Sequence, residues 1–211
     1  MPATRNSATL VLGGIALAAL LAVIGHAGVE DLDPLSLTVS DYAVSESGGA
    51  IHLAMLTLAV ASAGLVLGLR RSGAPTGTGR GRLGTAQVLL AAWAGGLLLA
   101  GLVPTNPPGT EMGTAAYVHR YASVVAFLAL PLAGWLIATQ LPATARTARW
   151  LRALTITSLL LAAAMVWSAY PGDRAYYGLI ERALILAEVA LLTVLATAGG
   201  RVRAATPVRA A

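Results

Sequence analysis

Seven ionisable side chains interrupt stretches of the sequence that are otherwise apolar, and they are the residues best suited to chemistry in this chain. Burying a charge in hydrocarbon costs at least about 2.5 kcal/mol at a helix centre, so such side chains face a protein interior, a cavity or a partner. Histidine supplies bases and metal ligands, and glutamate supplies acids. The seven are His26, His52, His119, Arg120, Glu181, Arg182 and Glu188.

Helical spacing places several of these side chains on common faces. Glu181 and Glu188 are seven residues apart and project from one face, with Tyr177 one turn before Glu181. His119 and Ser123 are stacked in the same way. A polar stripe of this kind predicts a pocket that opens toward one side of the protein. We expect it to be lined by Tyr177, Glu181, Glu188, His119, Ser123 and His52, with Arg120 and Arg182 beside it.

Three functions compete for such a pocket. In the leading hypothesis, Glu181 or Glu188 is a general acid and His119 its partner base, and the protein binds or acts on a lipid or isoprenoid-like molecule. In the second, Glu188 is the protonatable switch of a proton-coupled small-molecule transporter. In the third, Glu181 pairs with Arg120 or Arg182, and the protein is a structural or partner protein without enzymatic activity.

The sequence requires no cofactor, and we predict no metal site. The three histidines are scattered without a paired motif, although His52, His119 and a carboxylate would suffice for a metal ion with water in the open position. A haem held between His52 and His119 is a further alternative. The chain has no cysteine, which excludes thiol catalysis, thiolate metal sites and disulfides.

The elements that must position these residues are membrane-spanning helices. Of the 211 residues, 57% are hydrophobic and 11% charged, and the mean hydropathy is +0.75, so most of the surface must face lipid. A hydrocarbon layer takes roughly 20 helical residues to cross. Six stretches are long enough, which predicts an all-α bundle of six transmembrane helices at about 8–28, 48–69, 83–103, 113–138, 151–170 and 176–198.

The arginines orient this bundle. All fourteen basic residues other than histidine are arginine, and eleven of them lie before span one, between spans two and three, between spans four and five, or after span six. The positive-inside rule therefore places both termini in the cytoplasm. Membrane lipids, not nucleic acid, are the expected partners of this basic charge. Residues 70–84 read as a flexible cytoplasmic linker, and residues 199–211 as a basic cytoplasmic tail.

Two further patterns concern the other side of the membrane. Residues 29–47 form the longest segment there, and we expect it to fold back onto the bundle as a lid. A proline-glycine turn is followed by Tyr117 and then His119 in the first half of the chain, and by Tyr177 and then Glu181 in the second. This echo predicts an internal repeat of three spans plus three.

Five motifs follow one another along the chain: LTVSDY (37–42), PTNPPG (104–109), VHRYAS (118–123), FLALPLAG (127–134) and GLIER (178–182). Together they resemble the bacterial integral membrane family catalogued as domain of unknown function 998. The resemblance extends from span one to span six; it implies six spans in the bacterial plasma membrane and no established activity. Asp41 and Asn106 lie in two of the motifs and join the expected pocket, but family members commonly have aspartate where this chain has Asn106.

Overall fold

The computed structural model describes residues 3–29, 32–46, 48–71, 79–139 and 144–205. Every regular element in these ranges is a helix, which confirms the prediction of an all-α protein. Six of the helices have 23 to 29 residues, and α2 has five. The helices are α1 (Ala3–Ala27), α2 (Val39–Ala43), α3 (Gly49–Arg71), α4 (Gly79–Leu102), α5 (Thr114–Ala138), α6 (Ala145–Ala169) and α7 (Tyr177–Ala205).

Five of the long helices, α1, α3, α4, α5 and α6, are long and apolar enough to cross a membrane. The protein is therefore a multi-pass membrane protein. Helix α7, which carries Glu181, Arg182 and Glu188, is not among the five, so the sixth span stays a prediction.

The helices extend into both cytoplasmic segments that the sequence suggested. In the linker predicted at 70–84, α3 continues through Arg71 and α4 begins at Gly79, while residues 72–78 lie outside the described residues. In the tail predicted at 199–211, α7 continues to Ala205, and residues 206–211 are likewise outside the description.

The long helices pack in chain order, and α7 packs against α1, α5 and α6. Leu130, Leu184 and Leu191 are fully buried where these helices meet. A Cβ atom at Gly96 would lie 2.7 Å from the Ala122 carbonyl oxygen, so α4 and α5 approach each other closely enough that only glycine fits.

Residues 32–46, which we call the cap segment, fold back onto one end of the bundle. Helix α2 lies within this segment and contacts α1, α3 and α7. Thr38 and Asp41 begin α2 with a capping box, in which each side chain accepts a hydrogen bond from the other residue's backbone N–H. Tyr42 and Ala43, the last two residues of α2, are buried. The expected lid is therefore a folded element, and the end on which it lies is called the capped end.

Candidate functional site

Glu181 binds the beginning of α2. One oxygen of its carboxyl group, Oε2, accepts a hydrogen bond from the backbone N–H of Val39, with 2.5 Å between nitrogen and oxygen. Val39 is the first residue of α2, and an N–H group at that position has no acceptor within its own helix. Glu181 is only 5% exposed. This glutamate of α7 thus holds the cap segment.

Arg182 holds the same segment through backbone carbonyl groups. Its NH1 nitrogen donates to the carbonyl oxygens of Pro34 at 2.8 Å and Leu37 at 2.7 Å, and also to Gly178 in its own helix at 3.0 Å. Among the described residues, its Nε and NH2 atoms have no hydrogen-bond partner. In this conformation Arg182 bonds to the cap-segment carbonyls and not to Glu181, the partner suggested for it in the third hypothesis, because adjacent helix residues point about 100° apart.

Tyr42 is the buried anchor of the cap segment. The Arg182 guanidinium lies over one face of its ring, 4.8 Å from the ring centre, and the His26 ring stacks at 4.9 Å between centroids. The tyrosine hydroxyl donates to the Leu32 carbonyl at 2.5 Å. We did not predict Tyr42 as a site residue, although an aromatic residue directly after Asp41 in the LTVSDY motif was a usable signal.

His119 and His52 bind backbone carbonyl groups at the end of α4. The Nδ1 atom of His119 lies 2.8 Å from the Val103 carbonyl oxygen, and Nδ1 of His52 lies 3.1 Å from that of Gly101. A carbonyl can only accept, so both Nδ1 atoms carry the hydrogen. The last carbonyls of a helix lack intrahelical donors, and α4 ends at Leu102. Each of these two histidines therefore satisfies a backbone group that α4 itself leaves unpaired.

The second ring nitrogen of His119 also binds the cap segment. Nε2 lies 2.8 Å from the Ser40 hydroxyl, which donates to it when the imidazole is neutral. His119 is buried, and both of its nitrogens are used in this arrangement. The structure therefore brings His119 and Glu181 to the same short helix, α2, through Ser40 and Val39.

Other predicted pocket residues make local contacts instead. The Ser123 hydroxyl donates to the His119 carbonyl of its own helix at 3.0 Å. The Asn106 amide donates to the Thr110 carbonyl at 2.8 Å and stabilises the loop before α5. Asp41 is used in the capping box of α2. These three do not meet in a common cavity in this conformation.

Tyr177 and Arg120 lie near the surface of the capped end. The Arg174 guanidinium stacks over the Tyr177 ring at 5.1 Å from its centre, in the turn before α7. Arg120 is exposed, and Tyr177 is half-buried. Neither approaches Glu181 or His119 in a hydrogen bond between side chains within the part of the chain that the structure describes.

Asp33 stabilises the turn at the start of the cap segment. One of its carboxylate oxygens accepts a hydrogen bond from the Ser36 hydroxyl at 2.6 Å, and the other from the Leu35 N–H at 3.0 Å. The Ser36 hydroxyl first, and then the Leu35 N–H, lower the pKa of the exposed Asp33 carboxyl. Asp33 was not a predicted site residue.

Glu188 lies apart from all of these groups. It is on the same face of α7 as Glu181 but seven residues further along, which is about 10 Å. It is 0% exposed, and neither carboxyl oxygen has a hydrogen-bond partner among the described residues. The hydroxyls of Thr155 and Ser158 on α6 are equally buried and equally unpartnered. Sequence reasoning missed both hydroxyls.

A groove of about 540 Å³ lies between α4 and α5. Most of the residues that line it are apolar, and most are exposed on the surface of the bundle. None of the predicted pocket residues lines it. The lining residues are Gly95, Gly96, Leu99, Thr114, Tyr117, Val118, Tyr121, Ala122 and Val125.

The described residues contain no group of three histidine, aspartate or glutamate side chains placed to share a metal ion. His52 and His119 bind different carbonyl groups at the end of α4, so the alternative in which both join a carboxylate around a metal ion is not assembled in this conformation.

No curated protein and no solved structure matches this chain. A family model described as "Protein of unknown function (DUF998)" matches residues 11–198. That range covers all but the terminal parts of the chain, including every helix that contributes to the capped end. The chain belongs to the DUF998 family of proteins of unknown function.

Proposed function

We propose that this protein binds one amphiphilic, lipid-like molecule in the groove between α4 and α5. The observation that supports the proposal is the groove itself, whose volume of about 540 Å³ is within the range of small-molecule sites. It opens on a face that a multi-pass membrane protein turns toward acyl chains. The molecules available to such a face are lipids.

The two walls of the groove suit the two parts of an amphiphile. On α4, Gly95 has no side chain and open space where one would be, so a hydrocarbon chain can lie close to the helix backbone. On α5, Tyr117 and Tyr121 are 48% and 65% exposed and lie in the first two turns after Thr114. Tyrosines at this depth present an apolar ring to the chain and a hydroxyl to the headgroup.

Binding is favoured over acid-base catalysis because Glu181 and His119 are occupied and the other candidate acid, Glu188, is 0% exposed. The carboxyl group of Glu181 accepts from Val39, and both nitrogens of His119 are within hydrogen-bond distance of partners. A general acid or base must reach a substrate atom at hydrogen-bond distance. In this conformation these two side chains reach the cap segment instead.

A glycine substitution tests the groove without disturbing the packing of the helices. A Cβ atom at Gly95 would have nothing within 4 Å, so the leucine side chain of Gly95→Leu fits there, projects into the groove that Gly95 lines, and also favours the helix. Gly84→Leu is the matched control, because Gly84 is also on α4 and also open but is outside the groove. The probe is a phospholipid with a photoactivatable acyl chain in nanodiscs, and the measurement is the yield of crosslinked α4 and α5 peptides.

We expect strong crosslinking in the unmodified protein and in Gly84→Leu, and at least about a fivefold loss in Gly95→Leu. A fivefold loss corresponds to about 1 kcal/mol of binding free energy. Equal crosslinking in all three proteins, or label spread evenly over all helices, would show that the groove has no preferred occupant.

The proposal includes a topology of six spans with both termini in the cytoplasm of the cell. Helix α7 has 29 residues, which is about 43 Å of helix and enough to cross the bilayer. The chain has no cysteine, so single-cysteine variants can be labelled without background. With a membrane-impermeant maleimide on intact cells, Glu111→Cys should react and Arg209→Cys should react only after lysis. Labelling of both on intact cells would contradict an even number of spans. The repeat of three spans plus three stays a prediction.

A further inference from the structure

Three polar side chains in the interior of the bundle lack partners. The carboxyl group of Glu188 and the hydroxyls of Thr155 and Ser158 are 0% exposed and have no hydrogen-bond partner within the described residues. Hydroxyls in helices ordinarily bond to the carbonyl four residues earlier. In this chain Ser62, Ser123 and Thr193 all do so, whereas Thr155 and Ser158 are turned away from their own backbone.

The packing around Gly134 shows that these groups lie within about one helical turn of each other in depth. A Cβ atom at Gly134 would be 3.0 Å from the Thr155 hydroxyl oxygen and 3.1 Å from the Leu191 methyls, so Thr155 and Leu191 lie side by side. Helices α6 and α7 are consecutive and antiparallel. One turn back along α7 from Leu191 is Glu188, and the matching turn forward along α6 from Thr155 is Ser158.

Helix α5 brings a backbone oxygen to the same level. It runs parallel to α7, and one turn before Gly134 is Pro131, which is buried and corresponds in depth to Glu188. Proline has no N–H, so the carbonyl of Phe127 does not receive its usual helical hydrogen bond. The Glu188 carboxyl group, the Ser158 hydroxyl and the Phe127 carbonyl therefore lie at about one depth on three helices, with the Thr155 hydroxyl one turn further from the capped end.

No positive side chain compensates Glu188 there. The helices packed against α7 carry no ionisable residue where they pass through the middle of the bundle, at 8–25, 53–69, 122–138 and 153–169. Helix α2, with Asp41, lies at the capped end. On α7 itself the nearest ionisable groups toward the capped end are Glu181 and Arg182, about two turns away. A bare carboxylate in such surroundings would be unstable.

We propose that Glu188, Ser158 and Thr155, together with the Phe127 carbonyl, bind one monovalent cation, which is either Na⁺ or a proton. One positive charge neutralises the one carboxylate, and oxygen donors, including backbone carbonyls freed from a helix, are the ligands that intramembrane Na⁺ and proton sites use. The site does not involve the groove between α4 and α5, and it does not depend on lipid binding there.

Thermal stability of the full chain in nanodiscs measures occupancy, because a ligand that binds only the folded state raises Tm. NaCl replaces choline chloride at constant ionic strength from about 1 to about 300 mM, at about pH 5.5 and about pH 8.5. We expect Tm to rise by at least about 3 °C with Na⁺ or with the lower pH. Glu188→Gln should abolish the response, and Ser158→Ala should at least halve it. Thr193→Ala should leave it unchanged, since that hydroxyl bonds to its own helix.

A response to NaCl at fixed pH identifies Na⁺, and a response to pH alone that Glu188→Gln removes identifies a proton. The proposal is overturned if Tm of the unmodified protein responds to neither, or if Glu188→Gln keeps the full response. Should Glu188→Gln fail to fold, Ser158→Ala and Thr155→Val decide: an undiminished response in both overturns the site. None of these outcomes alters the crosslinking test of the groove.

Discussion

Arg182→Met should release the cap segment while leaving the bundle folded. Methionine keeps the length and much of the apolar volume of the arginine side chain. It removes the NH1 donors to the Pro34 and Leu37 carbonyls and the cation that lies over the Tyr42 ring. The third hydrogen bond of NH1 is internal to α7 and does not hold the cap segment.

The size of the effect follows from these contacts. A hydrogen bond to a charged group contributes about 1.5–3 kcal/mol, and two that share one nitrogen are not additive, so we take about 3 kcal/mol for the pair. Loss of the cation-π contact adds about 0.5–1 kcal/mol. A total of about 3.5–4 kcal/mol at about 1.4 kcal/mol per decade makes the open cap segment roughly 300 to 1,000 times more populated.

A cysteine at a buried position of the cap segment reports how often the segment is open. Ala43 is buried in α2, and Ala43→Cys is a small change in a chain without other cysteines. When opening and closing are fast, the labelling rate by a maleimide follows the open fraction. In detergent, where both ends of the protein are accessible, Arg182→Met should accelerate labelling by at least about 100-fold at unchanged far-UV circular dichroism.

Arg120→Met is the matched control, because Arg120 is also next to a buried site residue of the capped end but is exposed. Its labelling rate should stay within about threefold of the parent, as expected for a surface substitution of about 0.5 kcal/mol. If Arg182→Met were also within threefold, the contacts of Arg182 would not hold the cap segment, and the reasoning would be refuted.

Three further predictions concern the same end of the bundle. Glu181→Gln keeps an acceptor for the first N–H of α2 and should stay close to the parent in thermal melting, whereas Glu181→Ala should lose about 1.5–3 kcal/mol; equal losses would contradict this. In Gly178→Ala the new methyl would collide with the Leu37 carbonyl and raise the labelling rate of the buried cysteine, while Gly95→Ala, in open space, should not. Hydrogen bonds lower the pKa of Asp33 in the folded protein, so its stabilisation is complete above the ordinary value of 3.8 and is lost as pH falls through the lower folded value. Melting at about pH 6 and about pH 3 should therefore differ less in Asp33→Asn than in the parent, and an identical pH dependence would exclude this role.

The helices were predictable because a membrane-spanning helix needs a long apolar stretch, and most of this sequence consists of such stretches. The span predicted at 113–138 and α5, Thr114–Ala138, differ by one residue, since Gly113 there ends an irregular loop. The helix bounds on either side of residues 72–78 were less predictable, because α3 and α4 extend beyond the apolar residues to Arg71 and Gly79. Hydropathy does not report where a helix continues past its apolar residues, and the glycines at positions 79 and 81 would by themselves disfavour a helix there.

The sequence predicted which residues belong to the candidate site but not which groups they contact. Sequence marked His119 and Glu181 as buried polar groups, and both are buried at the capped end. Each of the two also binds a backbone group, of Val103 and Val39 respectively, and a pattern of side chains does not predict such a partner. Ser158 was overlooked because a hydroxyl in an apolar helix usually bonds to its own backbone, and only the packed structure shows that this one does not.

The cap segment and its anchors lie far apart in the chain: Glu181 is 142 positions after Val39, and Arg182 is 148 positions after Pro34. A ribosome therefore synthesises the cap segment well before its anchors. Until α7 packs against the bundle, α2 has no carboxylate for its first N–H, and Tyr42 has no guanidinium above its ring. The docked cap segment can therefore form only after α7 has been added to the chain.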